Sequence, residues 1–223
     1  MSRKLFYFVR HGESLLNAES IRQGSEGSLS EKGKEQAEGT AARLADRPFE
    51  VILASPYTRT KETANIINHI LQKSLEIEYS PLLQERRNPS EIIGKSMKDP
   101  EVARIIDLID KSYHSDDYRF SDEENFQDLK ARAKAALDYL QIREEKNILV
   151  VSHGIFIRMI AAYILYGEAL TASDYNLMSF LNASNNAAIT VCEYKKPWFK
   201  DATWNLIAWD DYIHDPKNRS RGI

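Results

Sequence analysis

The sequence predicts an α/β fold in which helices cover both faces of a mostly parallel central sheet. Short apolar runs rich in aromatic and β-branched residues alternate along the chain with longer segments whose apolar residues recur at helical spacing. Several short runs are apolar throughout, which is typical of strands that are buried on both faces. Since parallel strands are joined by right-handed helical crossovers, we expect a three-layer sandwich.

The first half of the chain contains three predicted strands and two predicted helices. The strands cover residues 5–9, 49–55 and 75–79, and the helices cover residues 30–45 and about 57–72. Ser30 is the predicted N-cap of the first helix, because its hydroxyl can accept a hydrogen bond from a free backbone N–H group. The polar, glycine-containing stretch between the first strand and this helix, residues 21–28, predicts a loop.

The second half begins with two predicted helices. One is capped by Asp99-Pro100 and carries apolar residues at helical spacing, and the other covers about residues 123–143. The polar residues 113–122 between them are expected to form a mobile rim over a binding site. An apolar strand at 147–152 then leads into a helix at 155–166. Residues 180–181, 187–194 and 203–209 are predicted strands that complete the sheet.

Composition restricts the class of protein. The chain has 223 residues, 43% of them hydrophobic and 28% charged, with a formal net charge of −3. These values are typical of a globular protein, and we interpret residues 1–223 as one domain. The five apolar residues after Arg3-Lys4 fall short of the roughly 7–15 of a signal peptide, and no run approaches the ~20 of a membrane span. We therefore expect a cytoplasmic protein without a membrane partner.

Several other chemistries are disfavoured. The sequence has no cluster of basic residues of the kind that binds nucleic acid, so we expect no nucleic-acid partner. The single cysteine, Cys192, lies in a predicted strand and is expected to be a core thiol, and Trp198 stands where a cysteine phosphatase would need an arginine. The glycines near Lys34 are misspaced for a phosphate-binding P-loop, and the five histidines show no metal-ligand spacing.

The charged turn after the first strand is the strongest functional signal. Arg10, His11 and Gly12 follow the apolar run directly, and open α/β sheets bind ligands beyond the carboxyl ends of their strands. His153 ends the strand at 147–152 in the same way. The helix that follows it should direct free N–H groups at an anion held by this histidine. Arg59 falls in the first turn of a helix, where an arginine is unfavourable unless an anion is shared with the helix dipole.

Further motifs extend this signal over most of the chain. They are Arg10-His11-Gly12-Glu13 with Asn17, Leu29-Ser30-Glu31-Lys32-Gly33 with Gln36-Ala37, Ala54-Ser55-Pro56 with Arg59 and Thr63-Ala64, Glu85, and Val151-Ser152-His153-Gly154. In content and order they resemble the motifs of the histidine phosphatase superfamily, which contains the phosphoglycerate mutase-like enzymes. Trp204, Trp209 and Asp210 resemble the superfamily's C-terminal segment, whereas we interpret His214 as structural or surface.

The resemblance implies a role for each matched residue. His11 is the expected nucleophile, with its other ring nitrogen held by a backbone carbonyl near Gly12. Arg10, Arg59 and His153 would hold the phosphoryl oxygens, with no metal or other cofactor required. Glu85 would protonate the leaving group. The remaining candidates for binding the phosphate ester are Ser14, Asn17, Gln23 and Gly154, although a solvated connection explains Gln23 equally well.

After Glu85 the chain departs from the common pattern of the superfamily. Simple phosphatases often have a glycine and Trp-Glu-Gly here, and mutases have Asn-Glu-Arg-His-Tyr-Gly, whereas this chain has Gln84-Glu85-Arg86-Arg87-Asn88-Pro89. We expect residues 86–121 to form a divergent insert. The expected activity is hydrolysis of a small, charged phosphate monoester, with a cofactor-dependent phosphoglycerate mutase as the alternative. A non-catalytic phospho-ligand binding module is disfavoured, because both His11 and Glu85 are present.

Overall fold

A computed structural model describes residues 2–112, 115, 117–178 and 185–212 of the chain. The strands are β1 (Ser2–Arg10), β2 (Val51–Ala54), β3 (Ile77–Tyr79), β4 (Asn147–Ser152), β5 (Ile189–Lys196) and β6 (Thr203–Asp211). They form one sheet in the order β3-β2-β4-β1-β5-β6. The pairs β1–β4, β2–β4 and β2–β3 are parallel, and β5 is antiparallel to both of its neighbours. The predicted mostly parallel sheet is confirmed.

Seven α-helices accompany the described part of this sheet. They are α1 (Leu15–Ala18), α2 (Glu31–Leu44), α3 (Thr58–Leu71), α4 (Pro100–Ser112), α5 (Phe126–Gln141), α6 (Gly154–Tyr166) and α7 (Ala172–Leu177). Short 3₁₀ turns lie at Pro81–Leu83, Ser90–Ile92 and Gly167–Ala169. The pattern did not predict α1, α7 or the 3₁₀ turns, because segments of three to six residues are too short to show a helical period.

Alternate residues of β1 bury themselves in two different cores. Phe6 and Phe8 belong to a cluster that includes the apolar stripes of α4, α5 and α6. Tyr7 and Val9 belong to a second cluster with α2 and α3. Successive strand residues point to opposite faces of a sheet, so these two clusters lie on its two faces. This arrangement confirms the predicted three-layer sandwich and explains why β1 is apolar throughout.

The predicted helix starts are confirmed where a cap was identified. The Ser30 hydroxyl accepts a hydrogen bond from the Gly33 N–H at 3.1 Å, and the Asp99 carboxylate accepts one from the Glu101 N–H at 2.8 Å. Cys192 is fully buried in β5, as expected of a core thiol, and burial raises the pKa of its thiol. The predicted strand at 180–181 and His214 lie outside the described residues.

The insert pairs with the loop that follows α1. Ile21 forms a β-bridge with Ser96, the Arg22 N–H donates to the Lys95 carbonyl at 3.0 Å, and the Gly94 N–H donates to the Arg22 carbonyl at 2.8 Å. The predicted solvated loop at 21–28 is therefore partly a paired segment. The one-domain interpretation stays a prediction.

The predicted rim at 113–122 is described only in part, since residues 113, 114 and 116 lie outside the described residues. Its last described residues are held in place. The Asp122 carboxylate accepts from the Ser90 N–H at 2.8 Å, and the Asp122 carbonyl accepts from Arg87 Nε at 2.6 Å. These hydrogen bonds tie the end of the rim to Arg87 and Ser90 at the start of the insert, and the predicted mobility stays a prediction.

Candidate active site

The two histidines predicted at strand ends lie side by side. In the β1–β4 register Arg10 is opposite Ser152, and the His11 N–H continues the ladder by donating to the Ser152 carbonyl at 2.9 Å. His11 and His153 therefore leave neighbouring parallel strands at the same level. Their ring centroids are 5.2 Å apart. Parallel pairing thus brings together two residues that are 142 positions apart in the chain.

The imidazole of His11 is held in one tautomer. It is 3% exposed, and its Nδ1 lies 2.7 Å from the Gly12 carbonyl oxygen, which can only accept a hydrogen bond. Nδ1 therefore carries the proton, and Nε2 has a lone pair that accepts a hydrogen bond from Arg59 Nε at 3.3 Å. Burial, followed by the cations of Arg59 and Arg10, lowers the pKa of His11 well below its ordinary value. The ring is accordingly neutral at pH 7.

Close packing fixes the turn that carries His11. The Gly12 N–H donates to the Thr63 hydroxyl at 3.2 Å, and that hydroxyl donates to the Arg59 carbonyl at 2.7 Å. A Cβ atom on Gly12 would overlap the Gly33 carbonyl, and a Cβ atom on Gly33 would overlap the Glu13 carbonyl. These contacts explain the glycine at both motif positions, since any side chain there would push the His11 turn away from α2.

Two arginines adjoin His11. Arg59 is buried in the first turn of α3, where Nη1 donates to the Gly24 carbonyl at 2.9 Å and the guanidinium lies 5.0 Å from the centre of the Tyr57 ring. Arg10, at the end of β1, is half-buried. Burial lowers the pKa of both guanidinium groups, and the Glu85 carboxylate opposes this effect in each. The pair forms a cationic wall beside Nε2 of His11.

His153 is fully buried and is the N-cap residue of α6. Its Nε2 lies 2.9 Å from the Ser55 hydroxyl oxygen, and its Nδ1 has no hydrogen-bond partner among the described residues. If the hydroxyl proton of Ser55 is donated to Nε2, Nδ1 carries the ring proton and is a free donor. Burial and the cation of Arg59 lower the pKa of His153 well below its ordinary value. Ser55 was not predicted as a site residue, although it belongs to the motif Ala54-Ser55-Pro56.

Glu85 follows the 3₁₀ turn Pro81–Leu83 and reaches the amino end of α6. Its carboxylate accepts from the Phe156 N–H at 3.1 Å, from the Ile155 N–H at 3.4 Å and from the Arg86 N–H at 3.0 Å. We predicted that this helix end would bind an anion held by His153. The described structure gives its N–H groups to the Glu85 carboxylate, which an amino-terminal helix dipole stabilises.

A cavity of about 280 Å³ opens beside His11. Its lining includes most of the predicted site residues, namely Arg10, His11, Asn17, Gln23, Arg59, Glu85 and Gly154. His153, which is fully buried and packs edge-on against the His11 ring, is not part of the lining. The remaining lining residues were not predicted as site residues, and they are Ile21, Arg22, Asn88, Met97, Ile155 and Arg158. The first four come from the paired loop and the insert, and the last two come from the first turns of α6.

Ser14, which was predicted to bind the substrate, lies outside the cavity lining. Ser14 is fully buried, and its hydroxyl lies 3.0 Å from the Asn17 Oδ1 atom and 2.8 Å from the Gln23 Oε1 atom. It is also the N-cap of α1, since the Asn17 N–H donates to its oxygen at 3.2 Å. Ser14 therefore positions two residues of the cavity wall without belonging to it.

Comparison with known proteins identifies the family to which the sequence belongs. The family model of the histidine phosphatase superfamily (branch 1) matches residues 6–207. The chain belongs to this superfamily. It is therefore a phosphoryl-transfer enzyme, of a superfamily whose typical substrates are small phosphorylated molecules. None of the helices in the described part of the chain has the length and apolar character that crossing a bilayer requires.

Relatives include both mutases and phosphatases by name. The "probable phosphoglycerate mutase GpmB" of Enterobacter sp. (strain 638) is 33% identical over 215 residues, which is 93% of each chain. A mycobacterial glucosyl-3-phosphoglycerate phosphatase has a similar structure (TM-score 0.75, 21% identity, 94% of this chain and 99% of that chain). So does a phosphoglycerate mutase from Bacillus anthracis (TM-score 0.71, 20% identity, 96% and 95%). At these identities the two structures show the fold alone.

Proposed function

We propose that this protein hydrolyses phosphate monoesters of small, charged metabolites through a phosphohistidine formed at Nε2 of His11. The observation that supports this most directly is the state of the His11 ring. The ring is neutral, its Nδ1 proton is bound by the Gly12 carbonyl, and its Nε2 lone pair lies against the Arg59 guanidinium. Attack on phosphorus needs such a lone pair next to cations that hold the phosphoryl oxygens.

In the first half-reaction, Nε2 of His11 forms a bond to phosphorus as the bond from phosphorus to the ester oxygen breaks. Arg10 and Arg59 neutralise the charge on the phosphoryl oxygens. When the Ser55 hydroxyl donates to Nε2 of His153, the buried ring adds a neutral N–H donor at Nδ1 beside His11. Asn17, Gln23 and the Gly154 end of α6 line the rest of the phosphoryl site. Glu85 gives its proton to the leaving alkoxide and becomes a carboxylate.

In the second half-reaction, the Glu85 carboxylate takes a proton from a water molecule whose oxygen attacks phosphorus. The nitrogen–phosphorus bond breaks, inorganic phosphate leaves, and Glu85 and His11 return to their starting states. The backbone N–H groups of Ile155 and Phe156 hold the Glu85 carboxylate in position for this step.

Phosphoglycerate mutase activity is the second candidate, and the names of the curated relatives favour it. A mutase must keep water from the phosphohistidine, which requires segments that enclose it. No Phe, Tyr or Trp occurs among the described residues that line the cavity, and most of the lining side chains are polar. This lining supports hydrolysis. The cytoplasm remains the proposed location, with a small-molecule phosphate ester and neither nucleic acid nor membrane as partner.

The test supplies 3-phosphoglycerate with catalytic 2,3-bisphosphoglycerate and follows both 2-phosphoglycerate and free phosphate. We expect phosphate release to account for the substrate that disappears. Isomerisation that outruns phosphate release by orders of magnitude would instead establish a mutase. A panel of phosphorylated metabolites and p-nitrophenyl phosphate extends the measurement, with His11→Ala as the control. Absence of phosphate release from the whole panel would contradict the hydrolase proposal.

A further inference from the structure

The cavity contains more positive charge than one phosphoryl group needs. Its charged lining residues, within the described part of the chain, are four arginines and one glutamate. A phosphate monoester carries at most two negative charges, which Arg10 and Arg59 can match beside His11. Arg22 and Arg158 are left over, and the proposed chemistry gives neither of them a role.

The side chain of Arg22 is the less satisfied of the two. It makes no hydrogen bond or ion pair with the residues that the structure describes, and its Nε atom is buried. The guanidinium of Arg86, a residue only 5% exposed, lies close enough to disfavour charge on Arg22. The carboxylates of Asp110 and Glu85 favour that charge, but neither reaches ion-pair distance. Arg22 is thus a half-buried cation beside another cation, with no carboxylate at ion-pair distance among the described residues, and an anionic ligand would stabilise its charge.

The backbone holds Arg22 at a fixed point of the wall. Its N–H donates to the Lys95 carbonyl and its carbonyl accepts from the Gly94 N–H, while the Met97 N–H donates to the Ser20 carbonyl at 2.8 Å. An arginine that served only to stabilise this loop would be expected to bond a nearby carbonyl or carboxylate. The described residues give Arg22 no such bond, although both strands of the pairing present carbonyl groups.

Arg158 reaches the same cavity from α6. Its Nη2 donates to the Tyr175 carbonyl at 2.8 Å and its guanidinium lies 4.0 Å from the centre of the Tyr175 ring, so the side chain is anchored. Its Nε atom is buried and has no partner among the described residues. Arg158 is four residues after Gly154, which places it about 6 Å further along the helix axis. It therefore lies one turn beyond the helix end that binds Glu85.

We propose that Arg22 and Arg158 form a second anion subsite in the cavity, which binds a carboxylate or a second phosphate group of the substrate. The inference rests on the proposed function, because it takes the first phosphoryl group to lie between Arg10 and Arg59 at His11. It narrows the substrate class to phosphate esters that carry a further anionic group. The apolar side chains of Ile21, Met97 and Ile155 complete the wall and would contact a short carbon chain between the two anions.

The experiment compares pairs of esters that differ mainly in the second anion. 3-Phosphoglycerate and glycerol 3-phosphate differ in a carboxylate, and fructose 1,6-bisphosphate and fructose 6-phosphate differ in a phosphate. We expect kcat/KM to be at least tenfold higher for the doubly anionic member of one pair. The pair that shows this difference tells whether the subsite binds a carboxylate or a phosphate. A charge-assisted hydrogen bond typically changes such a constant about 10- to 100-fold.

The variants Arg22→Met and Arg158→Met should each lower that ratio of kcat/KM values about tenfold or more, since the ratio cancels general losses of activity. Arg104→Met, at an exposed arginine that pairs with Glu101 away from the cavity, should leave the ratio unchanged. Equal kcat/KM within both pairs, or ratios that survive both substitutions, would overturn the subsite.

A failure of the proposed function gives a different result. In that case no ester releases phosphate, and calorimetric binding of the same four compounds decides the subsite independently. Tighter binding of a doubly anionic member, weakened in Arg22→Met, would support the subsite without hydrolysis. Equal affinities within both pairs would overturn it.

Discussion

Replacing Arg132 with methionine tests how the structure positions Glu85. Arg132 lies in α5, and its guanidinium forms two hydrogen bonds to the Glu124 carboxylate, both at 2.7 Å. The same group donates to the carbonyls of Leu82 at 3.1 Å, Gln84 at 2.8 Å and Glu85 at 3.3 Å. One side chain thus holds three carbonyl groups of the segment that carries the proposed proton donor. Methionine has a long side chain without these donors.

The expected loss of stability follows from the burial of this pair. The side chains of Arg132 and Glu124 are only 15% and 12% exposed, so removing the cation leaves a shielded carboxylate without its counter-charge, although the Arg87 N–H still donates to it. Such a change costs about 3–5 kcal/mol. At ~2–4 °C per kcal/mol for a chain of this size, the melting temperature should fall by roughly 6–20 °C. Adding Glu124→Gln to the variant should recover part of the loss, because it removes the unpaired charge.

The expected loss of activity concerns the leaving group. A displacement of Glu85 by about 1 Å can cost on the order of 10²-fold in rate when the step depends on its proton. Alkyl phosphates, whose alkoxide needs that proton, should therefore suffer more than p-nitrophenyl phosphate, which leaves without it. The assay is thermal denaturation together with kinetics on both substrates, at a temperature where each variant is folded.

Arg104→Met is the matched control for Arg132→Met. Arg104 and Glu101 are three residues apart on the surface of α4, and their side chains are 58% and 62% exposed. Solvent screens pairs of this kind, so Arg104→Met should leave the melting temperature almost unchanged. A melting temperature for Arg132→Met no lower than that of the control, or equal losses on the two substrates, would refute the positioning role.

The remaining predictions concern the histidines and the acid. Rapid quenching after incubation with substrate should trap an acid-labile, base-stable phosphoenzyme that His11→Ala does not form, and label retained in that variant would exclude His11 as nucleophile. Glu85→Gln should slow alkyl phosphates strongly and p-nitrophenyl phosphate much less, whereas equal losses in the phosphorylation step would make Glu85 a positioning residue. Below about pH 6.5 the unfolded chain protonates His11 and His153 while the folded protein keeps both neutral, since their pKa values are depressed. Stability measured by urea unfolding should therefore fall with pH, by up to about 1.4 kcal/mol per pH unit for each histidine, with no contribution from them above that range. His11→Ala should halve this slope, and an unchanged slope would count against a depressed pKa at His11.

The strand-end part of the site was predictable because it depends on local pattern and on a general property of parallel sheets. An apolar run that stops at Arg10-His11 and another that stops at His153 each give a strand with a known direction. Parallel strands end at one edge, so the two histidines had to lie together. The 5.2 Å between their rings follows from the register of β1 on β4.

Ser14 shows a structural signal that the resemblance to family motifs did not bring out. The residue lies in the right segment, but its hydroxyl caps α1. The spacing from Ser14 to Asn17 is that of an N-cap and the third helical residue, which is the spacing of a capping box. This signal was present in the sequence. It was overlooked because a helix of four residues leaves no periodic trace of its own.

Arg22 and Met97 were beyond sequence reasoning for a different reason. Each enters the cavity wall only because residues 20–22 pair with residues 94–97, and nothing in either segment specifies the other as its partner. Arg158 is a milder case. It lies four residues after Gly154 in a helix that was predicted, and residues at that spacing share a face. The sequence therefore already placed Arg158 on the face of α6 that carries Gly154.

The residues assigned to phosphoryl transfer and the residues that shape the rest of the cavity therefore lie on different kinds of segment. The groups assigned to phosphoryl transfer leave strands or helix ends that are anchored in the two cores, so their positions are fixed by burial. Arg22 and Met97 line the cavity from paired loop segments, and Asn88 lines it from the insert, where a substitution changes the cavity without disturbing the sheet. Since Arg132 ties the acid loop to α5 and the insert begins directly after Glu85, the insert can vary in sequence while the acid stays in place. We therefore expect substitutions in the insert to alter the relative kcat/KM of different esters more than the turnover of p-nitrophenyl phosphate.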